Sequence, residues 1–552
     1  ETAASRKTHS DMTAVEGLLS MAVLKDKCLP QTTHQRIEHI HESLLFYDEH
    51  TFGASESVSD PLCENSQVQW GEKSAYAWEA VRTQMLYETS VGLLQGDLRR
   101  GKNPTLTIFN TLNWKRSEML TVYIDFEVIP RNQFFEITDF QGHSLKVQPI
   151  RYRREGCYYA IFAEDIPPMG YKTFEIVFKQ PSTDTGTITI NNASIENHFY
   201  KLQLNPDKGT IQSLYDKELN CELVDSSSPW ELGAFIYEKL GNRDQLAQYR
   251  LDDYNRTGLS ECRIIDSSNG PIYQRILLQG KSPGTDEAFG VNLEIKLYHD
   301  TKRIELEYAI KRLPETDPSG IYVAFPFQLP EGKLAFDVQG GTVISGKNQL
   351  EGTSTDWNTV QNFVSVQNNQ AQIIIGSSLI PLYQLGDINL GKFQYQKQYE
   401  RPHVYSWVMN NYWNTNFKAS QEGEFRWSYH LTSSVDPSSN LATKFGWSSR
   451  IPLYARVMPT GTENHKPTEY SAFHFEKDNF LMTSCTPSKE EGYILLNIRE
   501  IDGKRTNLRI LNEDGQTIPF TIVNAIEEKL ENETSEHIFE GYQNKFIKIK
   551  RF

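Results

Sequence analysis

"RRGKNPTLTIFNTLNWKRSEMLTVYIDF", residues 99–126, divides the chain into two kinds of structure. A basic turn with Gly101 and Pro104 leads into residues that alternate apolar and polar, the period of two expected of half-buried strands. Upstream the apolar period is helical. In residues 1–24, Val15, Leu18, Leu19, Ala22 and Val23 follow helical spacing, and Pro30 ends the run. A second helix carries Ile37, Ile40 and Leu44 and ends near Tyr47. A third is predicted from Gln67 to beyond Leu94, with Trp78, Val81 and Met85 on one face. Three such stripes predict a small bundle. Downstream, Gly, Pro, Asn and Asp turns such as "NPDKGT" (205–210), "SSNGP" (267–271) and "NEDGQ" (512–516) cut the chain into short strands. No further helix of comparable length is expected.

The fold class is therefore α+β: a three-helix bundle followed by several mostly antiparallel β-sandwich domains. The expected ranges are 1–100 for the bundle, 101–180 for a small sandwich, 181–450 for a large one and 451–552 for a last β domain. The Ser/Thr/Gly-rich "KQPSTDTGTITI" (179–190) and the region near Thr443 to Pro452 mark boundaries.

Composition excludes several classes. The net charge of −15 offers no basic stripe to offset phosphates, and "RYRRE" (151–155) and "KIKRF" (548–552) read as solvated strand faces, so no nucleic-acid partner is expected. No apolar run reaches the roughly 20 residues of a membrane helix, so no membrane partner is expected either. The six Cys form no C-x-x-C pair, against a zinc ribbon or redox dithiol. Sequons at Asn192, Asn255 and Asn532 leave the compartment unknown. The chain opens at Glu1 within a helical pattern and no signal peptide precedes it, as expected of a processed product or a piece of something longer. There is no G-x-S-x-G, P-loop or H-E-x-x-H.

One stretch carries chemistry. In "LLFYDEHTFGAS" (44–55) an apolar helix stops at Asp48, Glu49 and His50, and Gly53 permits a sharp turn or close backbone approach. A plain polar helix end would look like this. So would a metal ligand at the rim of a site, since a neutral imidazole binds zinc and a neighbouring carboxylate can orient its other nitrogen. No partner stands at metal-ligand spacing nearby, so further ligands must come from elsewhere. A second stretch is "MNNYWNTNFKASQEGEFRWSYHL" (409–431). Its amides can pair with sugar hydroxyls and its Trp offers an apolar face to a pyranose, which makes Asn411, Trp413, Asn416 and Gln421 candidates. A strand with a polar turn reads equally well.

The order of these stretches resembles glycoside hydrolase family 38, the retaining α-mannosidases. The first helix, "LTIFNTLNWKRSEMLTV" (106–122), "DIPPMGYKTFEI" (165–176), the stretch 188–225 and the N-N-x-W-x-T-N stretch at 410–416 fall in the family's order across most of residues 1–450. The resemblance implies that the large sandwich is a galactose mutarotase-like super-sandwich. It implies an N-terminal β/α barrel of the same polypeptide, absent here, that carries the nucleophile, the acid/base and most zinc ligands. No catalytic residue is then expected in this chain. The bundle supplies one more ligand, by position His50. Many members have Asp after this His and it touches the sugar. Here Thr51 stands there, so Thr51, Asp48 or Glu49 would make that contact. The implied partner is a mannose-containing oligosaccharide and the implied cofactor zinc, shared with the barrel. Two other readings stay open: a non-catalytic carbohydrate-binding β protein, and an assembly role in which the β domains bury a homo-oligomer interface.

Overall fold

A computed structural model describes residues 1–180 and 193–551. Most of the 179–190 boundary stretch and the Asn192 sequon lie outside the described residues. The rest is mostly antiparallel sheet with few helices: α1 (Thr2–Leu24), α2 (Thr33–Asp48), α3 (Glu64–Ala80), α4 (Thr83–Leu94) and α5 (Ser439–Arg450).

The helix expected from 67 to 94 is two helices. Arg82 sits at φ −63°, ψ 3°. Its N–H donates to Glu79 O at 3.1 Å and its carbonyl accepts from Met85 N at 3.0 Å, three-residue spacings that interrupt the α-helical ladder. The break resets the phase of the apolar stripe. Leu86, Val91 and Leu94 of α4 are buried, while Val81 and Met85 are exposed. A helix also stands where a boundary and no helix were expected: α5 buries Ala442, Thr443 and Gly446 on one face. Ser, Asn and Gly weaken its helical signature in the sequence, and tertiary packing against Phe363 and Ile374 supplies what propensity lacks.

The chain forms two compact units. The first takes residues 1–7, 43–78 and 187–450; the second takes 8–42, 79–186 and 451–552. In the first, a nine-stranded sheet and a six-stranded sheet are built from antiparallel pairs. The six-stranded sheet is buried on both faces at its centre. Along its strand Ser319–Phe325, Ile321, Val323 and Phe325 face a large core shared with Leu293, Ile295 and Leu306. Tyr322 and Ala324 alternate to the other side, where Trp407, Tyr405 and Tyr412 complete a second core. Tyr322 and Trp407 stack at 5.9 Å and 2°.

In the second unit a five-stranded sheet and a three-stranded sheet enclose Leu106, Ile108, Leu120, Val122, Ile161 and Phe174. The strand Thr105–Asn110, expected half-buried, is buried throughout. Inside it, Thr107 Oγ1 hydrogen-bonds Thr173 Oγ1 at 2.9 Å, and Phe109 joins a separate core. The sheet also takes Tyr454–Met458, paired with Thr105–Asn110, and Glu469–Ser471, paired with Gly170–Lys179. Among the described residues, no helix is long and apolar enough to cross a membrane.

Candidate functional site

Helix α2 ends at Asp48, and the backbone turns out through His50. Asp48 accepts from Ser5 Oγ at 3.1 Å. Glu49 is fixed more firmly. It accepts from the Thr51 backbone N–H at 3.0 Å and lies 3.4 Å from Lys73 Nζ, and these bonds, the Thr51 N–H first, hold its carboxyl below the usual range. Glu49 Oε1 lies 2.6 Å from His50 Nδ1. An ionised carboxylate can only accept, so Nδ1 carries a proton, and in the neutral tautomer this leaves Nε2 as the nitrogen with the lone pair. Nε2 has Thr51 Oγ1 at 3.4 Å, and the imidazole is 89% exposed. Among the described residues, no group of three or more His, Cys, Asp or Glu is placed to hold a metal ion. What this stretch offers is a single imidazole, backed by a carboxylate.

The next residues anchor the second stretch singled out in the sequence. Phe52 N–H donates to Asn416 O at 2.9 Å, and Asn416 N–H donates to Ala54 O at 3.3 Å. Thr415 Oγ1 donates to Ser55 O at 2.9 Å. Asn416 takes φ +66°, a left-handed conformation that Asn tolerates better than most residues, and so serves this junction through its backbone. Gly53 is required where it stands: a Cβ would come within 2.5 Å of Trp70 Nε1. The Phe52 ring stacks on Phe417 at 5.7 Å and 16° and meets Tyr47 edge-on at 5.3 Å. Trp413 adjoins Phe417 at 6.1 Å.

These rings line an open cleft of about 320 Å³ within the first unit, with Trp70, Trp407 and Arg312 also in its wall. Of the expected sugar-contacting residues, Trp413 and Gln421 line it; Gln421 Nε2 is 3.5 Å from Glu1 Oε2. Asn411 is there as well, but its amide is spent. Oδ1 accepts from Ser319 N, and Nδ2 donates to the carbonyls of Glu315, Asp317 and Ala419 at 2.8–3.1 Å. It braces the loop, with both its amide oxygen and its amide nitrogen bonded to backbone. Tyr47, Phe52, Trp70, Arg312 and Phe417 were not singled out in the sequence. The helical stripe hides Tyr47, whereas Phe52 and Phe417 flank the two stretches and carried a signal in their aromaticity.

Residues 195–393 match the glycosyl hydrolases family 38 C-terminal domain. An α-mannosidase from Enterococcus faecalis V583 superposes at TM-score 0.74 with 13% identity, covering 100% of this chain and 68% of its own. A family 38 glycosyl hydrolase protein from Enterococcus faecalis gives 0.73 and 13%, covering 100% and 71%. At that identity the likeness is one of fold alone, and it runs along the whole chain. No curated protein matches the chain in sequence.

Proposed function

We propose that the chain is the C-terminal region of a retaining, zinc-dependent α-mannosidase that removes terminal α-linked mannose from glycans. The nucleophile and acid/base would lie on an N-terminal barrel of the same polypeptide. The observation that carries this reading is the junction of two stretches 360 residues apart: the His50 turn and the 409–421 loop hydrogen-bond to each other beside one aromatic cleft. The helices around His50 add support. Leu45, Phe46 and Trp78 are 73%, 51% and 57% exposed, an apolar face that a barrel would cover while bringing its own ligands to the imidazole.

Within this scheme Glu49 fixes the His50 tautomer and ring orientation, so that Nε2 is presented to the metal. Zinc, when bound, would act as a Lewis acid toward sugar hydroxyls. Thr51 offers one hydroxyl where many members have a carboxylate. Asp48 and Glu49 are the alternatives, and Glu49 is already committed to Thr51, Lys73 and His50. Trp413 and Phe417 offer apolar faces to a pyranose ring. In the retaining scheme the barrel's two carboxyls stand about 5 Å apart and one forms the glycosyl-enzyme.

The test is hydrolysis of an aryl α-mannoside by a chain extended to include the barrel and by the 552-residue chain, each with zinc and with a chelator. The extended chain is expected to turn over and to lose activity with chelator, and the 552-residue chain to be silent. His50→Ala should lower kcat/KM of the extended chain by about 10- to 100-fold, with loss of zinc. Full activity of that variant at full zinc occupancy overturns the reading. A second reading, a non-catalytic carbohydrate-binding protein, is favoured by the fact that the aromatic cleft is complete within this chain. Sugar binding that is indifferent to chelator, without turnover by either chain, would support it.

A further inference from the structure

The imidazole of His50 is 89% exposed, and the Glu49 side chain beside it is 46% exposed. Side chains this open to water are held only weakly by each other. The fixed point lies on a different helix. Lys73, in α3, is 11% exposed, and its ammonium faces three oxygens. It donates to Phe46 O at 2.7 Å and to Glu49 O at 2.9 Å, and it lies 3.4 Å from Glu49 Oε2. The two carbonyls belong to the end of α2, where a helix has no N–H of its own left to offer. A cation placed there also meets the negative end of the helix dipole. The same ammonium stands 5.0 Å over the Phe52 ring, in the wall of the aromatic cleft.

The two oxygens of Glu49 are thereby given different tasks. Oε2 accepts from the Thr51 N–H at 3.0 Å and faces Lys73, which leaves Oε1 to His50 Nδ1 at 2.6 Å. The Thr51 bond is internal to the turn and moves with it. The Lys73 contacts cross from another helix and set where the turn stands. A free neutral imidazole in water prefers its proton on Nε2. The opposite tautomer needs an acceptor kept at Nδ1, and an anchored carboxylate is such an acceptor.

We propose that Lys73 is the positioning residue of the His50 turn. By clamping the end of α2 and one oxygen of Glu49, it keeps the other oxygen on Nδ1 and leaves Nε2 free to bind. The proposal deepens the reading of His50 given above and rests on it for its purpose, while the tautomer is measured without metal.

The test is the pair of ring 15N shifts of His50 in the metal-free 552-residue chain at about pH 9, well above the ordinary imidazole value. The signal is assigned by its loss in His50→Ala. The wild-type ring is expected mainly in the Nδ1–H form. Lys73→Met should move the tautomer ratio several-fold towards Nε2–H. Glu49→Ala should give the ratio of a free imidazole, and adding Lys73→Met to it should change nothing further, because Lys73 acts through the carboxylate. If Lys73→Met does not fold, Lys73→Gln, which keeps an N–H for the helix carbonyls but no charge for Glu49, should shift the ratio in the same direction. A wild-type ratio in a folded Lys73 variant overturns the inference. So does a further shift when Lys73→Met is added to Glu49→Ala, or a mainly Nε2–H ring in the wild type. These outcomes leave the reading of His50 as a ligand standing, whereas full activity and zinc occupancy of His50→Ala in the extended chain removes that reading and not the control of the tautomer by Lys73.

Discussion

Asn411 marks the difference between lining a site and holding it together. Its single amide closes one backbone N–H and three carbonyls drawn from residues 315–319 and 419. Removing it strands buried polar groups, each costing about 1–3 kcal/mol when left without a partner. Asn411→Ala is expected to lower stability by about 2–4 kcal/mol, read as a shift in the urea midpoint at unchanged slope. A variant that keeps wild-type stability and loses only sugar affinity would restore Asn411 as a contact residue. Sequence could identify an amide here but not its use, because a brace and a ligand have the same side chain. His50 was more legible. The helix end, the preceding carboxylate and Gly53 are all local in the sequence, and the structure sets Glu49 beside His50 Nδ1 and Gly53 against Trp70. Arg312 was not legible at all, since its place in the cleft wall depends on where Ser319 and the 409–421 loop fall in space.

At the scale of elements, turn residues made strands legible, but not which are buried on both faces, as Thr105–Asn110 and Ser319–Phe325 are, and helix ends depended on tertiary detail. The interruption at Arg82 has no Pro or Gly to announce it, and α5 has a Gly in its middle. Gly446 is there for packing. A Cβ would lie 3.0 Å from Asn362 Cβ and 3.1 Å from its backbone C and O, atoms that cannot rotate away. Ala gains about 1 kcal/mol of helix propensity over Gly, and overpacking costs about 1–3 kcal/mol. Gly446→Ala is therefore expected to destabilise by up to about 2 kcal/mol, and a rise in Tm would show that the contact yields. The pair between α1 and α2 gives a pH signature. Glu16 Oε1 lies 2.6 Å from His41 Nε2, and this hydrogen bond raises the His41 pKa. The raised pKa means that the folded protein binds this proton more tightly than the unfolded chain does. The stabilisation is then complete below the ordinary value near 6.5 and disappears as pH rises through the raised value. His41 is 47% exposed, so the contribution stays below about 1 kcal/mol. His41→Gln should cost stability at about pH 5.5 and little at about pH 8.5, compared by urea midpoints. An equal cost at both would remove the charge from the explanation.

At the scale of the whole chain, the sheet that begins at Thr105 is completed from more than three hundred residues downstream, and this has a consequence for truncation. Tyr454–Met458 pairs along one edge of Thr105–Asn110, and Leu453 joins the core beneath. Phe473, Phe480, Ile494 and Ile547 pack in one cluster with Leu18, Met21 and Leu94, so the last hundred or so residues supply part of the core under the helices of the same unit. The strand alternation on either side was visible in the sequence, but the pairing was not, because an antiparallel register between distant strands leaves no local trace. Cutting after Arg450 would open the edge of Thr105–Asn110, whose six residues are all buried, and strip one side of that helical cluster. An exposed apolar edge is a template for association with other chains. A chain ending at Arg450 is accordingly expected to be recovered as aggregate, with no cooperative thermal transition for the second unit, even with reductant present for the free cysteines. Soluble, monomeric 1–450 with two-state unfolding would mean that residues 451–552 fold as an independent addition and that the edge pairing at Thr105 is dispensable. Rescue of the truncated chain by a separately expressed 451–552 segment, restoring solubility on mixing, would assign the failure to the missing strands rather than to the cut itself.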